Sequence, residues 1–185
     1  KDGADRADGS YMNIDHNQRI VHIEAPQDKE IIALGKKLNK TYIAYGKRGL
    51  RMKGRQEAQD ANAASMGGSV AAQRAVTKAS KQYVNVGWDM VDAEKEGKLK
   101  VEEIAEEDLP EEMKKMTKKQ RREYVQKKKK ERDQLQKQIS KLRKARDKYV
   151  AEKRKKMAKD NTLDEAVLNA VREQAKKKKF KFEKK

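Results

Sequence analysis

The stretch Leu135-Gln136-Lys137-Gln138-Ile139-Ser140-Lys141-Leu142-Arg143-Lys144-Ala145-Arg146-Asp147-Lys148-Tyr149 sets Leu135, Ile139, Leu142 and Tyr149 at helical spacing, with Val125 earlier in the same frame. Apolar residues three, four and seven apart line one side of an α-helix. The same frame carries Lys128, Arg132, Arg146 and Lys153. Only about two heptads are therefore apolar, short of the three or four that a stable coiled coil needs. Upstream, Thr117 followed by Gln120 forms a capping box. It predicts one helix from about Lys118 to about Lys159, roughly 60 Å long at 1.5 Å per residue. Glu123–Lys127, Asp133–Lys137 and Glu152–Lys156 have the favourable i,i+4 order for ion pairs along it.

Asp160-Asn161 breaks this helix, and Thr162 with Glu165 opens another, striped by Leu163, Val167, Val171 and Ala175. Folded back, the second helix makes an antiparallel hairpin. Its expected contacts are Leu135, Ile139, Leu142 and Tyr149 against Val167, Leu168 and Val171.

Towards the amino end, Ser10–Ile14 and Arg19–Ile23 flank the turn-forming Asp15-His16-Asn17-Gln18 and read as a hairpin. Pro26 and Asp28 open a helix with Ile31, Leu34 and Leu38 on one side. Thr41–Tyr45 reads as a third strand ended by Gly46. An Ala/Gln-rich helix over 51–66 is interrupted by Gly67-Gly68, and Ser69 is placed to cap the next, striped by Ala72, Ala75, Val76, Ala79 and Tyr83. Trp88–Ala93 makes a short helix that Gly97 can end, and an acidic connector closes at Pro110.

Charge divides the chain sharply. Residues 1–110 hold 18 Lys/Arg and 18 Asp/Glu, whereas residues 111–185 hold 30 and 12, so the whole +18 lies in the second part. A hydrophobic fraction of 35% against 42% charged residues points to a small packed portion with long solvated helices. The absence of Cys excludes disulfides and thiolate-bound zinc. No apolar run approaches the ~18 residues of a membrane span. A first residue Lys1 in place of Met is what a processed or truncated product would show.

Catalytic parts are scarce. His16 and His22 fall on the predicted hairpin without a third zinc ligand. Asp2, Asp5 and Asp8 lack the alternating spacing of a calcium loop. Gly46-Lys47-Arg48-Gly49 lacks the ending of a phosphate loop. Asp89 and Asp92, at i and i+3, share a side of a short helix, where early carboxylates favour a helix start. No cofactor or metal is expected. Polyanion binding is the alternative, through Lys127, Lys128, Lys129, Lys130, Arg143, Lys144, Lys176, Lys177, Lys178 and Lys179, because Lys/Arg contacts to phosphates need no particular fold. Phe180 and Phe182 lie in the same basic tail.

Several stretches together carry a resemblance: Ser10–Asp15, Ile20–Ile23, Pro26 with Asp28 and Ile31–Leu38, Leu38–Gly46, Arg55–Ala63, Gln73-Arg74-Ala75, Trp88–Ala93, Leu109–Met113 and Gln120–Val125. In this order, over about residues 9–175, they resemble the end of a von Willebrand factor A (VWA) domain and the region after it in a group of bacterial proteins, many of them exported. The resemblance implies an exported or periplasmic setting and the closing elements of a Rossmann-like sheet. The Asp-x-Ser-x-Ser loop of the VWA metal site has no counterpart here.

The chain is thus expected to be mainly α with a small β portion. A flexible lead (1–8) precedes a strand–strand–helix–strand unit (9–46), a small helical region with an acidic connector (47–110), a basic helical hairpin (111–175) and a basic tail (176–185). The function expected is a non-enzymatic protein-interaction or structural module. Its partner would be an upstream VWA portion or another chain, with nucleic acid as the polyanion of the alternative reading. Strands of 9–45 without neighbours would either pair with another chain or leave a sticky edge.

Overall fold

A computed structural model describes residues 22–157 and 163–178. The chain divides into two units, residues 22–150 and a second containing residues 1–21 and 151–185. The described residues hold seven α-helices: α1 (Asp28–Asn39), α2 (Gly46–Ser65), α3 (Gly68–Lys78), α4 (Met90–Lys95), α5 (Glu111–Lys114), α6 (Lys118–Met157) and α7 (Leu163–Lys177). Two 3-10 turns, Val101–Glu103 and Glu106–Asp108, lie in the acidic connector.

Local chemistry accounts for several helix ends. The amide of Gln120 donates to Thr117 Oγ1 (3.3 Å) and the amide of Thr117 to Gln120 Oε1 (2.8 Å), so the capping box starts α6. Gly97, at φ 66°, ends α4 in a Schellman motif: its amide donates to the Glu94 carbonyl and that of Lys98 to the Ala93 carbonyl. Ser69 is not the cap expected of it. Gly67, at φ 119°, occupies that position, and Ser69 is buried in the first turn of α3. Similarly, α2 begins at Gly46, ahead of its Ala/Gln-rich part.

The expected third strand, Thr41–Tyr45, is a correction. It leaves α1 through a turn at Thr41 and Tyr42 and then meets its neighbour through a single antiparallel bridge, Ala44 with Asp89. Tyr45 donates its amide to Trp88 O (3.0 Å), and Met90 donates to Ile43 O (2.9 Å). Residues 41–44 are all buried. A buried apolar run looks the same in sequence whether its neighbour is a sheet or a layer of helices. The predicted hairpin of 10–23, including His16, lies outside the described residues apart from its end, where His22 is exposed.

Two apolar clusters build the 22–150 unit. In the first, Ile31, Leu34 and Leu38 of α1 meet Ala72, Ala75 and Val76 of α3, with Tyr42, Trp88, Leu135 and Ile139. Tyr42 and Trp88 stack with ring centroids 5.6 Å apart. In the second, Ile43, Met90 and Val91 meet Val101, Leu109, Met113 and Val125. The long helix thus contributes to both.

Close approach of α1 and α3 depends on Gly35. A Cβ built there would lie 2.7 Å from the Ala75 Cβ, whereas one at Gly54, in α2, would meet nothing within 4 Å. Gly35→Ala is therefore expected to destabilise by about 1–3 kcal/mol through overpacking, despite alanine's better helix propensity. Gly54→Ala should stabilise by roughly 0.5–1 kcal/mol. Chemical denaturation of both variants checks the pair, and equal signs would refute the assigned helix contact.

Candidate functional site

The buried side of α6 combines Val125, Leu135 and Ile139 with two arginines, Arg132 and Arg146. An isolated guanidinium in an apolar core is prohibitively costly, so each must find acceptors for its donors.

Arg132 finds them in the bridge region. Its Nη1 donates to Asp89 Oδ2 (2.6 Å) and Asp92 Oδ1 (2.8 Å). Its Nη2 donates to the Thr41 carbonyl (2.7 Å) and Asp89 Oδ1 (3.2 Å), and its Nε to Thr41 Oγ1 (3.0 Å). All five N–H groups of a guanidinium are accounted for. The charge also sits over the Tyr42 ring, 4.2 Å from its centroid. Asp89 meanwhile accepts from the amides of Ile43 (2.8 Å) and Asp92 (3.0 Å), the latter as the N-cap of α4. Burial lowers the tendency of Arg132 to stay charged, but Asp89 and Asp92 outweigh it and hold the guanidinium above its ordinary value. Burial likewise drives the Tyr42 hydroxyl well above the ordinary tyrosine value, although the charge of Arg132 opposes the shift.

Arg146 ties the far part of α6 to the start of α1. Its Nε donates to Asp28 Oδ1 (2.6 Å), while Asp28 Oδ2 accepts from the Ala25 amide (2.9 Å). The Ser69 carbonyl and Gln73 Oε1 lie at 3.4 and 3.5 Å from its Nη atoms.

A third polar cluster joins α1, α2 and α3. Lys78, 2% exposed, donates to Asn39 Oδ1 (2.6 Å) and to Asp60, which also accepts from Asn39 Nδ2 (2.7 Å) and Arg74 Nε (3.0 Å). Burial raises the Asp60 carboxyl, but Lys78, Asn39 and Arg74 more than reverse this and hold it below the usual carboxylate range. A depressed carboxylate contributes stability above its unfolded value of 3.8, and the contribution is lost as pH falls through the lower folded value. Asp60→Asn should therefore cost about 1.5–3 kcal/mol near neutral pH. The gap from wild type should close in acid, which urea unfolding at several pH values measures. A pH-independent gap would remove the carboxylate from this role.

The sequence-derived sites fare differently. Asp89 and Asp92 do share a side, with Arg132 as their common partner. Leu135 and Ile139 are buried and Leu142 half-buried against the α1–α3 cluster, and Tyr149 is half-buried. In α7, Leu168 and Val171 are 53% and 54% exposed, and the side chain of Val167 lies outside what is described. Lys127, Lys130 and Lys144 are exposed. Lys128 is half-buried, reaching Glu131 (3.5 Å) and the Tyr124 ring, and Lys129 is also half-buried. Arg143 pairs with Asp147 (3.3 Å) and Lys176 with Glu173 (3.0 Å). Lys177 and Lys178 are exposed, and Lys179 with Phe180 and Phe182 lies outside the described residues. The expected pairs Glu123–Lys127, Asp133–Lys137 and Glu152–Lys156 are not formed, and exposed pairs such as Arg143–Asp147 contribute little where they are.

What the sequence did not disclose is a continuous stripe. Lys127, Lys130, Lys137, Lys141, Lys144 and Lys148, with Gln134 in the gap, follow steps of three and four residues and are all exposed. At 100° per residue they lie opposite Arg132, Leu135, Ile139 and Arg146. The six carry no ion pair among the described residues. The 21 steps from Lys127 to Lys148 correspond to roughly 32 Å of helix.

Two hollows lie among the described residues. A depression beside Asp92, Arg132, Lys81 and Lys129 holds about 20 Å³, room for roughly one water. An open hollow beside Lys118, Lys119 and Arg122 is bordered by Glu102 and Glu123. No group of three or more metal-ligating side chains occurs among the described residues, and no described helix is long and apolar enough to cross a membrane. Comparison of the chain with protein-family models, curated proteins and solved structures gives no match.

Proposed function

We propose that this chain is a non-enzymatic interaction module, in which α6 is a rigid rod fastened by Arg132 and Arg146 and presents its outward lysines to an anionic partner. The observation that carries this is the six-lysine stripe opposite the buried arginines. The clamps keep the rod from turning, so the backbone positions of the six lysines are fixed on the solvent side while their side chains stay free to move. The resemblance of about residues 9–175 to the end of a VWA domain and the region after it, read from the sequence alone, favours an accessory role beside a larger domain.

Replacement of Lys127, Lys130, Lys137, Lys141, Lys144 and Lys148 by Gln should lower the salt needed to elute the protein from a heparin matrix, with unchanged helicity and melting. Lys176, Lys177 and Lys178 changed together to Gln should have a smaller effect. Equal elution of the six-residue variant and wild type would remove the stripe from any binding role.

A further inference from the structure

The chemistry of the stripe narrows the partner further, on the basis of the reading just given. Protein interfaces place aromatic, Met and Arg side chains in a desolvated centre and are depleted in Lys. The stripe has lysines, one glutamine and no apolar anchor. A membrane-surface helix lays an apolar side into the acyl boundary. In α6 the apolar residues Val125, Leu135 and Ile139 are already buried in the protein core. Single-stranded nucleic acid is held on aromatic platforms where bases stack, and no aromatic residue lies on the stripe.

A surface of lysines alone gains affinity in one way above others: each ammonium that neutralises a phosphate releases a condensed counterion, without needing a dry interface. That gain is largest against the dense charge of a duplex, one negative charge per about 1.7 Å of axis. The stripe's span of roughly 32 Å is close to one turn of duplex, about 34–36 Å. The rigid rod also loses little conformational freedom when it docks.

We infer that the outward lysine stripe of α6 binds the phosphodiester backbone of double-stranded nucleic acid, independently of base sequence. Lysine contacts to phosphates carry no sequence information, so two unrelated duplexes should bind equally. If all six lysines engage, they should contribute about −5 to the slope of log affinity against log salt.

The test is anisotropy titration of the full chain with two unrelated fluorescent 20-base-pair duplexes between about 50 and 200 mM salt. Wild type should bind both alike, and the six-lysine-to-Gln variant should lose at least about 100-fold at the lowest salt, with a slope flatter by several units. A charge-matched control changes Lys36, Lys47, Arg48, Arg51, Arg55 and Lys98 to Gln, all exposed and none of them on α6; it should keep most of the affinity. Loss as large in the control would show that net charge alone acts and would overturn the inference. Polyglutamate, single-stranded DNA and phosphatidylserine/phosphatidylcholine vesicles serve as competing anions, each expected to bind more weakly than duplex. Should one of them bind tighter than duplex through the same lysines, the duplex assignment falls while the interaction reading stands. If wild type binds none of the anions, both fall.

Discussion

Arg132→Met is expected to destabilise the 22–150 unit by about 3–5 kcal/mol, because removal of one partner leaves buried carboxylates without a counter-charge. Two of them, Asp89 and Asp92, face the guanidinium at 2.6 and 2.8 Å, and Asp89 is fully buried. The Thr41 carbonyl and hydroxyl lose their donors as well. Methionine keeps much of the volume, so the loss reports charge and hydrogen bonding more than packing. The triple change Arg132→Met, Asp89→Asn, Asp92→Asn should recover a large part of the loss, since apolar or neutral replacement of a whole buried ionic group is often tolerated. Urea unfolding of wild type, single and triple variants measures this. A single variant within about 1 kcal/mol of wild type would contradict a closed buried charge group. So would a triple variant less stable than the single.

Ile139→Asp is the other large effect. Ile139 is 0% exposed, among Ile31, Leu34, Leu38 and the α3 alanines. Truncating such a side chain costs about 2–5 kcal/mol, and an unpaired carboxylate adds desolvation to that. A unit of this size is stable by about 5–15 kcal/mol, so the variant should be largely unfolded or close to it. Two controls sharpen the reading. Lys141→Asp, two residues on and exposed, should change stability by no more than about 0.5 kcal/mol. Leu168→Asp, at a site 53% exposed, should also have a small effect. Circular dichroism melts of the three variants give the comparison. If Leu168→Asp were as damaging as Ile139→Asp, the C-terminal helix would matter to the core as the sequence pattern predicts. If Ile139→Asp were harmless, the α1–α3 cluster would not be what holds α6.

Sequence information was good wherever the physics is local. The Thr117–Gln120 box starts α6, Gly97 ends α4, and the Ile31–Leu34–Leu38 side of α1 is buried, each within a few residues of the signal that announced it. Thr41–Tyr45 misled because burial of Tyr42, Ile43 and Ala44, not backbone pairing, accounts for its apolar residues. Arg132 and Arg146 stood in the apolar frame with Leu135 and Ile139, and there they read as flaws in a weak seam. The signal for them was their register, since a cation kept at a core position implies a buried acceptor.

What the sequence by itself determined is therefore most of the helices, the Thr117–Gln120 cap of α6 and the Gly97 end of α4, the concentration of charge after residue 110 and the alternation that makes α6 two-sided. Only the tertiary structure decided which side of α6 is buried against what. The partners of Arg132 lie 40, 43 and 91 residues away and that of Arg146 lies 118 away. Spacing along the chain carries no record of such pairs, because they are chosen by packing in space. Once those pairs orient the rod, its opposite side and the six lysines on it face solvent.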